Sequence, residues 1–244
     1  MKFTIVRRDS VPSTNEEAKA LARAGSAVGT VVTAAAQTSG RGTKGRGWDS
    51  PPGLGLYVSV ILKPPESVLA CLPLAAGLAA REAMEKSAGV LARLQWPNDL
   101  IWEGRKLGGI LCESGFTGVA LDYAVVGIGI NVGQEEGDYP DDLRDRAVSL
   151  RTAAGRPVEI ADVLEALLPA LDAWTARLAV EGGSAIAAAF AAYAIPEIGH
   201  ELVLDHGAGP FRARYEGIAP DGALLVSTDS GPRRLLSADI VRLR

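Results

Sequence analysis

Apolar and polar positions along this chain have two textures, and the change falls near Pro196. Ahead of it, helical and extended patterns are interleaved; behind it, only short extended runs remain. Phe3 to Arg7 reads as a short first strand. Thr14 to Ala24 has helical spacing, with Ser13 at the N-cap, Glu16 as the partner of a capping box and Gly25 as the stop. Thr30 to Ala36 starts β-branched and predicts a strand, and Leu54 to Lys63 alternates with period two. An Ala- and Leu-rich helix is predicted from Pro73, where proline suits a first turn, to about Ser87. Ala92 to Trp96, Asp99 to Trp102, Lys106 to Phe116 and Leu121 to Val132 follow as closely spaced strands. Val158 to Val180 and Gly183 to Tyr193 are helical in pattern. Strands joined by such tight turns imply an antiparallel or mixed sheet, not a βαβ array.

Beyond Pro196 the predicted strands are Glu201 to Leu204, Phe211 to Ile218, Leu224 to Ser227, Arg233 to Leu236 and Ile240 to Leu243. Asp221-Gly222 and Ser230-Gly231 supply turns between them. The expected architecture is therefore an α/β (α+β) fold. It has a mixed-sheet core over residues 1–196 and a small C-terminal β-barrel over residues 197–244.

Composition narrows the function classes. A chain of 244 residues with 48% hydrophobic and 22% charged residues can bury a real core and is not disordered. Lys and Arg number 25 against 29 Asp and Glu, and the resulting charge of −4 speaks against a protein that coats nucleic acid. The uncharged stretch Gly25 to Gly40 carries Thr, Gln and Ser, so no membrane span is expected, and the start lacks a signal-peptide pattern. Two cysteines, Cys71 and Cys112, and two histidines give no metal-ligand spacing, so neither a zinc enzyme nor a disulfide scaffold is expected. A reducing cytoplasm is the expected compartment.

The segment Gly40 to Gly55 holds six Gly and two Pro in sixteen residues and cannot be a regular element. Gly40, Gly42 and Gly45 imitate the G-x-G-x-x-G dinucleotide fingerprint, but Asp49-Ser50-Pro51-Pro52-Gly53 follows where a helix must open. A P-loop fails as well, since Arg46-Gly47 stands where Lys-Ser/Thr is required. What remains is a loop whose glycines let backbone N–H groups approach an anion, with Arg41, Lys44 and Arg46 as cations and Trp48 as an indole. Such a loop is expected to be mobile when empty and to order over bound anions.

Two further clusters carry chemistry. Gln95-Trp96-Pro97-Asn98-Asp99-Leu100 is followed by Arg105-Lys106-Leu107-Gly108-Gly109-Ile110-Leu111, which sets the Lys106 ammonium beside approachable backbone. Gly127-Ile128-Gly129-Ile130-Asn131-Val132 places glycines inside a strand, the mark of a bulge or of close packing against backbone or ligand.

Taken in order, Ser13-Thr14-Asn15, Gln37 with the loop to Trp48, Trp96-Pro97-Asn98-Asp99 with Lys106-Leu107-Gly108-Gly109-Ile110-Leu111, and Gly127-Ile128-Gly129-Ile130-Asn131 resemble the biotin protein ligases. The resemblance covers essentially the whole chain and implies that the C-terminal part is an SH3-like barrel. It implies ATP-dependent formation of biotinyl-5′-AMP, then transfer of biotin to a lysine of a biotin carboxyl carrier domain. Biotin as substrate, ATP and its Mg2+ are implied, with no protein-held metal.

By the same resemblance, Ser13, Thr14, Asn15, Gln37, Gly40, Arg41, Gly42, Thr43, Lys106 and Gly109 would bind biotin. Arg41, Lys44, Arg46, Trp48, Asn98 and Asn131 would hold the nucleotide, and Lys106 with Arg41 would be catalytic. Thr43 and Gln95 depart from the pattern, standing where arginine and lysine are common in the family. With the first motif already at Ser13, the reading is a monofunctional ligase without a DNA-binding domain. It implies no nucleic-acid or membrane partner, and it is compatible with a homodimer. Rival readings are a lipoate–protein ligase of the same fold and a non-catalytic biotin-binding module.

Overall fold

The computed structural model describes residues 1–207 and 209–243. Its larger sheet has eight strands: β1 (Thr4–Val11), β2 (Thr30–Gln37), β3 (Gly55–Leu62), β4 (Arg93–Gln95), β5 (Asp99–Trp102), β6 (Arg105–Thr117), β7 (Ala120–Asn131) and β8 (Ala194–Ile195). Their order is β1-β2-β3-β7-β6-β5-β4-β8. The pairs β1/β2 and β4/β8 are parallel and the others antiparallel, so the sheet is mixed, as expected.

Period-two alternation assigns the faces. On β3, Leu56, Val58, Val60 and Leu62 join the main core, while Ile61 turns the other way to Ala18 of α1 (Thr14–Arg23), Val32 and Val125. The main core lies under α2 (Leu72–Ala88) and α4 (Ile160–Ala191), which pack on each other. α2 is buried nearly all round, which its run of alanines permits at close approach. The segment Glu66–Ala88 is long and apolar enough to cross a membrane by length and composition, yet here it is a core helix. With α2 and α4 covering one face, the other face is left to α1 and the glycine-rich loop.

Several elements differ from expectation for local reasons. β1 runs on through the polar residues Arg8, Asp9 and Ser10, because an edge strand can leave them exposed while its backbone pairs with β2. Ser13 caps α1 by backbone conformation without a side-chain bond, and Glu16 pairs with Lys19 and Arg41, so the capping box does not form. The two helices expected over 158–193 are the halves of α4, interrupted at Gly182 (φ 77°, ψ −178°). A short α3 (Leu150–Ala154), capped by Ser149 and ended by the left-handed Gly155, was not anticipated, nor was β8.

The C-terminal residues form a second sheet, β12-β11-β10-β9-β13, from β9 (Glu201–Asp205), β10 (Pro210–Ile218), β11 (Leu224–Thr228), β12 (Gly231–Leu235) and β13 (Asp239–Leu243). The expected closed barrel is corrected to an open antiparallel sheet: among the described residues β12 and β13 do not pair. Pro232 in β12 lacks a backbone N–H, which suits an edge strand. This sheet is no loose appendage. Leu202, Leu204, Tyr215, Leu224 and Val226 belong to the main core, and Trp96 Nε1 donates to Gly222 O at 2.8 Å.

Candidate active site

A cleft of about 510 Å³ opens where the start of α1, the loop after β2, the strands β5–β7 and the start of β13 converge. Its floor is main chain. Gly109 and Gly129 are register partners on β6 and β7, and the Trp48 indole lies against both. A Cβ at Gly129 would fall 2.6 Å from Trp48 Cε2, and one at Gly127 would fall 2.1 Å from Asn15 Oδ1. The glycines of β7 are therefore needed to let Asn15 and Trp48 sit on the sheet. Among the described residues the buried Trp48 Nε1 has no hydrogen-bond partner, so it can donate to a ligand.

One end of the cleft is a network of neutral hydrogen-bonding groups. Gln37 Oε1 accepts from Thr14 N at 2.8 Å and lies 3.2 Å from Thr14 Oγ1, and Gln37 Nε2 donates to Ser50 Oγ at 2.9 Å. Ser59 Oγ, fully buried on β3, lies 2.8 Å from Thr14 Oγ1 and 2.6 Å from Asn15 Oδ1. An unpartnered hydroxyl there would cost about 1–3 kcal/mol, so Ser59 explains why the first two residues of α1 are held so firmly. Ser13 is buried and also lines the cleft.

The other end is cationic. Lys106 Nζ lies 2.6 Å from Asp99 Oδ1 and 5.4 Å from the Trp48 ring centroid. Asn131 Nδ2 donates to Lys106 O at 3.3 Å and Val148 O at 3.2 Å, and Asn98 Nδ2 donates to Ile110 O at 2.8 Å. Both asparagines expected to touch nucleotide line the cleft, but their amide nitrogens hold backbone of the strands that carry Lys106 and Gly109.

The loop forms a small hairpin, bridged between Arg41 and Gly47, with Gly42 N donating to Arg46 O at 2.7 Å. Arg41 pairs with Glu16, Lys44 with Asp239 at 2.9 Å, and Arg46 with Asp239 at 3.2 Å. Asp239 is held below the ordinary aspartate range: burial would raise it, but the hydrogen bond from Lys44 and the charge of Arg46 prevail. These pairs are largely exposed, and exposed pairs contribute only about 0–1 kcal/mol, so an incoming phosphate can displace them.

Of the residues nominated from sequence, Ser13, Thr14, Asn15, Gln37, Arg41, Gly42, Thr43, Arg46, Trp48, Asn98, Lys106, Gly109 and Asn131 line the cleft. Gly40 and Lys44 do not. Gly40 closes the base of the loop, where Trp48 N donates to its carbonyl at 2.9 Å, and Lys44 is turned to Asp239. Sequence reasoning missed Asp99 as the partner of Lys106, although both stand in the quoted motifs. It also missed Ser59, Glu16 and Asp239, for which no local pattern gives a signal. Among the described residues, no three His, Cys, Asp or Glu side chains are grouped to hold a metal ion.

Fold and cleft first define a class. The model of the biotin/lipoate A/B protein ligase family matches residues 7–131, and that of the biotin protein ligase C-terminal domain matches residues 202–243. A biotin–[acetyl-CoA-carboxylase] ligase of Paracoccus denitrificans is 33% identical over 93% of this chain and 96% of its own. The bifunctional ligase/repressor BirA of Bacillus subtilis is 34% identical over 97% of this chain and 73% of its own. The solved biotin protein ligase of Aquifex aeolicus in complex with biotin and ATP superposes with a TM-score of 0.83 at 31% identity, covering 99% of this chain and 98% of that one. The chain belongs to the biotin protein ligase family.

Proposed function

We infer that this protein joins biotin to a lysine of a biotin carboxyl carrier domain in two steps at the one cleft. The biotin carboxylate attacks the α-phosphorus of ATP, pyrophosphate leaves, and biotinyl-5′-AMP remains bound. The carrier lysine amine then attacks the acyl carbon, AMP departs, and the amine loses its proton as the amide forms. The observation that carries this reading is the joining of a neutral hydrogen-bonding end to a cationic end across a glycine floor.

Residue roles follow from chemistry. Ser13, Thr14, Asn15 and Gln37 offer donors and acceptors suited to the uncharged ureido ring. Lys106, at the cationic end, would meet the carboxylate and the α-phosphate, and Arg41 and Arg46 at the rim would take phosphate oxygens. No protein nucleophile is needed, since both attacking groups belong to substrates. The task is to hold two anions together and offset the charge that develops, which positioned cations do. Alignment of the reacting atoms can supply about 7–11 kcal/mol of the barrier in the best cases. Trp48 offers a flat face and an indole N–H to the nucleotide base, while Asn98 and Asn131 keep the strands beneath it in place.

Asp99 is engaged by Lys106, and in this reading magnesium would enter as its ATP complex. Residues 1–196 make the catalytic unit in this reading. Residues 197–244 add Asp239 to the rim.

The deciding experiment is a transfer assay: purified protein, Mg-ATP and a biotin carrier domain, offered biotin or lipoate separately, read by intact mass. ATP-dependent labelling with biotin alone supports the reading. Labelling with lipoate overturns the substrate, and tight biotin binding without labelling overturns the catalysis.

A further inference from the structure

Behind the cleft, a line of side chains outside its lining joins the neutral end to the loop. Asn15 Nδ2 donates to Glu113 Oε2 at 2.9 Å and to Leu111 O at 3.2 Å. The other Glu113 oxygen accepts from Lys19 Nζ at 2.6 Å. Lys19 Nζ also donates to Glu16 Oε1 at 2.8 Å, and that same oxygen pairs with Arg41 Nη1. Helical geometry makes the line continuous: Asn15, Glu16 and Lys19 lie within about one turn of α1, and Glu113 reaches them from β6.

Lys19 occupies the middle of this line, and only 14% of its side chain is exposed. Burial would lower the pKa of its ammonium, but the hydrogen bonds to Glu113 and Glu16 outweigh that and raise it. Glu16 is lowered in turn, chiefly by its hydrogen bond with Lys19. Two carboxylates therefore approach a single ammonium, an arrangement stable only while that ammonium is present.

We propose that Lys19 is a positioning residue for biotin activation: through Glu113 it fixes the amide of Asn15 at the neutral end of the cleft. The proposal rests on reading the cleft as the biotin site. With Oδ1 close to Ser59 and Nδ2 donating to Glu113, Asn15 presents its amide in one orientation. Without Lys19 the two carboxylates repel, and Glu113 withdraws from Asn15. Substrate binding then weakens at a residue that substrate does not touch.

The test compares wild type with Lys19→Met, which keeps an unbranched stem without charge, and Lys19→Arg, which can again bridge two carboxylates. Biotin-dependent ATP–pyrophosphate exchange gives KM and kcat, calorimetry without ATP gives biotin affinity, and thermal melting reports folding. Lys19→Met is expected to raise KM for biotin, and to weaken biotin binding, by about tenfold. Its kcat should stay within about twofold, and Lys19→Arg should recover most of the loss. An unchanged KM, or a lower kcat at unchanged KM, overturns the proposal, since a merely structural lysine alters the amount of active enzyme and not its affinity. If Lys19→Met does not fold, Glu113→Gln carries the test, keeping an acceptor for Asn15 while removing the carboxylate that pairs with Lys19. It too must raise KM for biotin. Wild type that neither binds biotin nor exchanges pyrophosphate would overturn the reading of the cleft, an outcome distinct from wild-type activity with unaffected variants.

Discussion

Gly109 and Gly129 face each other across β6 and β7, and the Trp48 indole rests on the bare backbone they leave. Gly129→Ala would drive a methyl to 2.6 Å from Trp48 Cε2, so the indole must move. Overpacking of this kind costs about 1–3 kcal/mol. If Trp48 is the platform for the nucleotide, KM for ATP should rise by about tenfold or more while biotin affinity in the absence of ATP changes little. Calorimetry with each ligand separately checks this, and unaltered ATP affinity would remove Trp48 from the nucleotide site.

In the proposed reading Lys106, which lines the cleft, is the cation that meets both anions. Lys106→Ala is expected to lower adenylate formation by about 10²–10³-fold, the loss usual when one charge-stabilising donor is deleted. Pyrophosphate exchange on folded protein measures it; a variant of wild-type rate would exclude Lys106 from the mechanism.

Thr43 lines the cleft and accepts from Arg46 Nη2 at 3.1 Å, so it adds a hydroxyl where the resemblance read from the sequence leads to an expected guanidinium. Biotinyl-5′-AMP should escape faster from this protein than from its Thr43→Arg variant. One hydrogen bond to a charged group contributes about 1.5–3 kcal/mol, which corresponds to at least a tenfold slower release for the variant. Chromatography of free adenylate over time decides between this and equal release.

Asp239 ties the loop to the C-terminal sheet, and the pH dependence of that tie has a definite sign. Its pKa is depressed in the folded protein, so the contact is present above the ordinary aspartate value of about 3.9 and is lost only as pH falls through the lower folded value. Carboxyl resonances followed by NMR should show Asp239 titrating below that value, and Lys44→Ala should move it upward. A titration at the ordinary value would mean that the contact does not persist in solution.

The same tie bears on the loop's motion. Residues 40–48 should gain hydrogen-exchange protection when biotin and ATP bind. Asp239→Asn should raise exchange in the empty enzyme by loosening Lys44 and Arg46. Equal protection with and without ligand would count against ordering of the loop on binding.

Strands with clean alternation or strong apolar runs were legible from sequence, and so was α2, whose Pro73 and Gly89 mark its ends. Short elements were not. Ser149 and Gly155 are proper signals for α3, but five residues carry no periodicity. β8 is two residues long and exists only because β4 lies beside it. At the site, the residues named in contiguous motifs were brought together almost completely. The partners that aim them were not legible, because Asp239 reaches Lys44 across nearly two hundred residues and Glu113 reaches Asn15 across 98. The glycines of β7 were recognised as marking close approach, but which groups approach is a fact of tertiary packing.

A floor made of main chain has a consequence for anyone wishing to alter what this ligase accepts. Libraries at Gly127 and Gly129 would sample collisions with Asn15 and Trp48 and return mostly inactive protein. Diversity is better placed on the walls. Arg41, Thr43 and Arg46 line the cleft from the loop, so new ligand shapes can be selected there while the sheet beneath stays as it is.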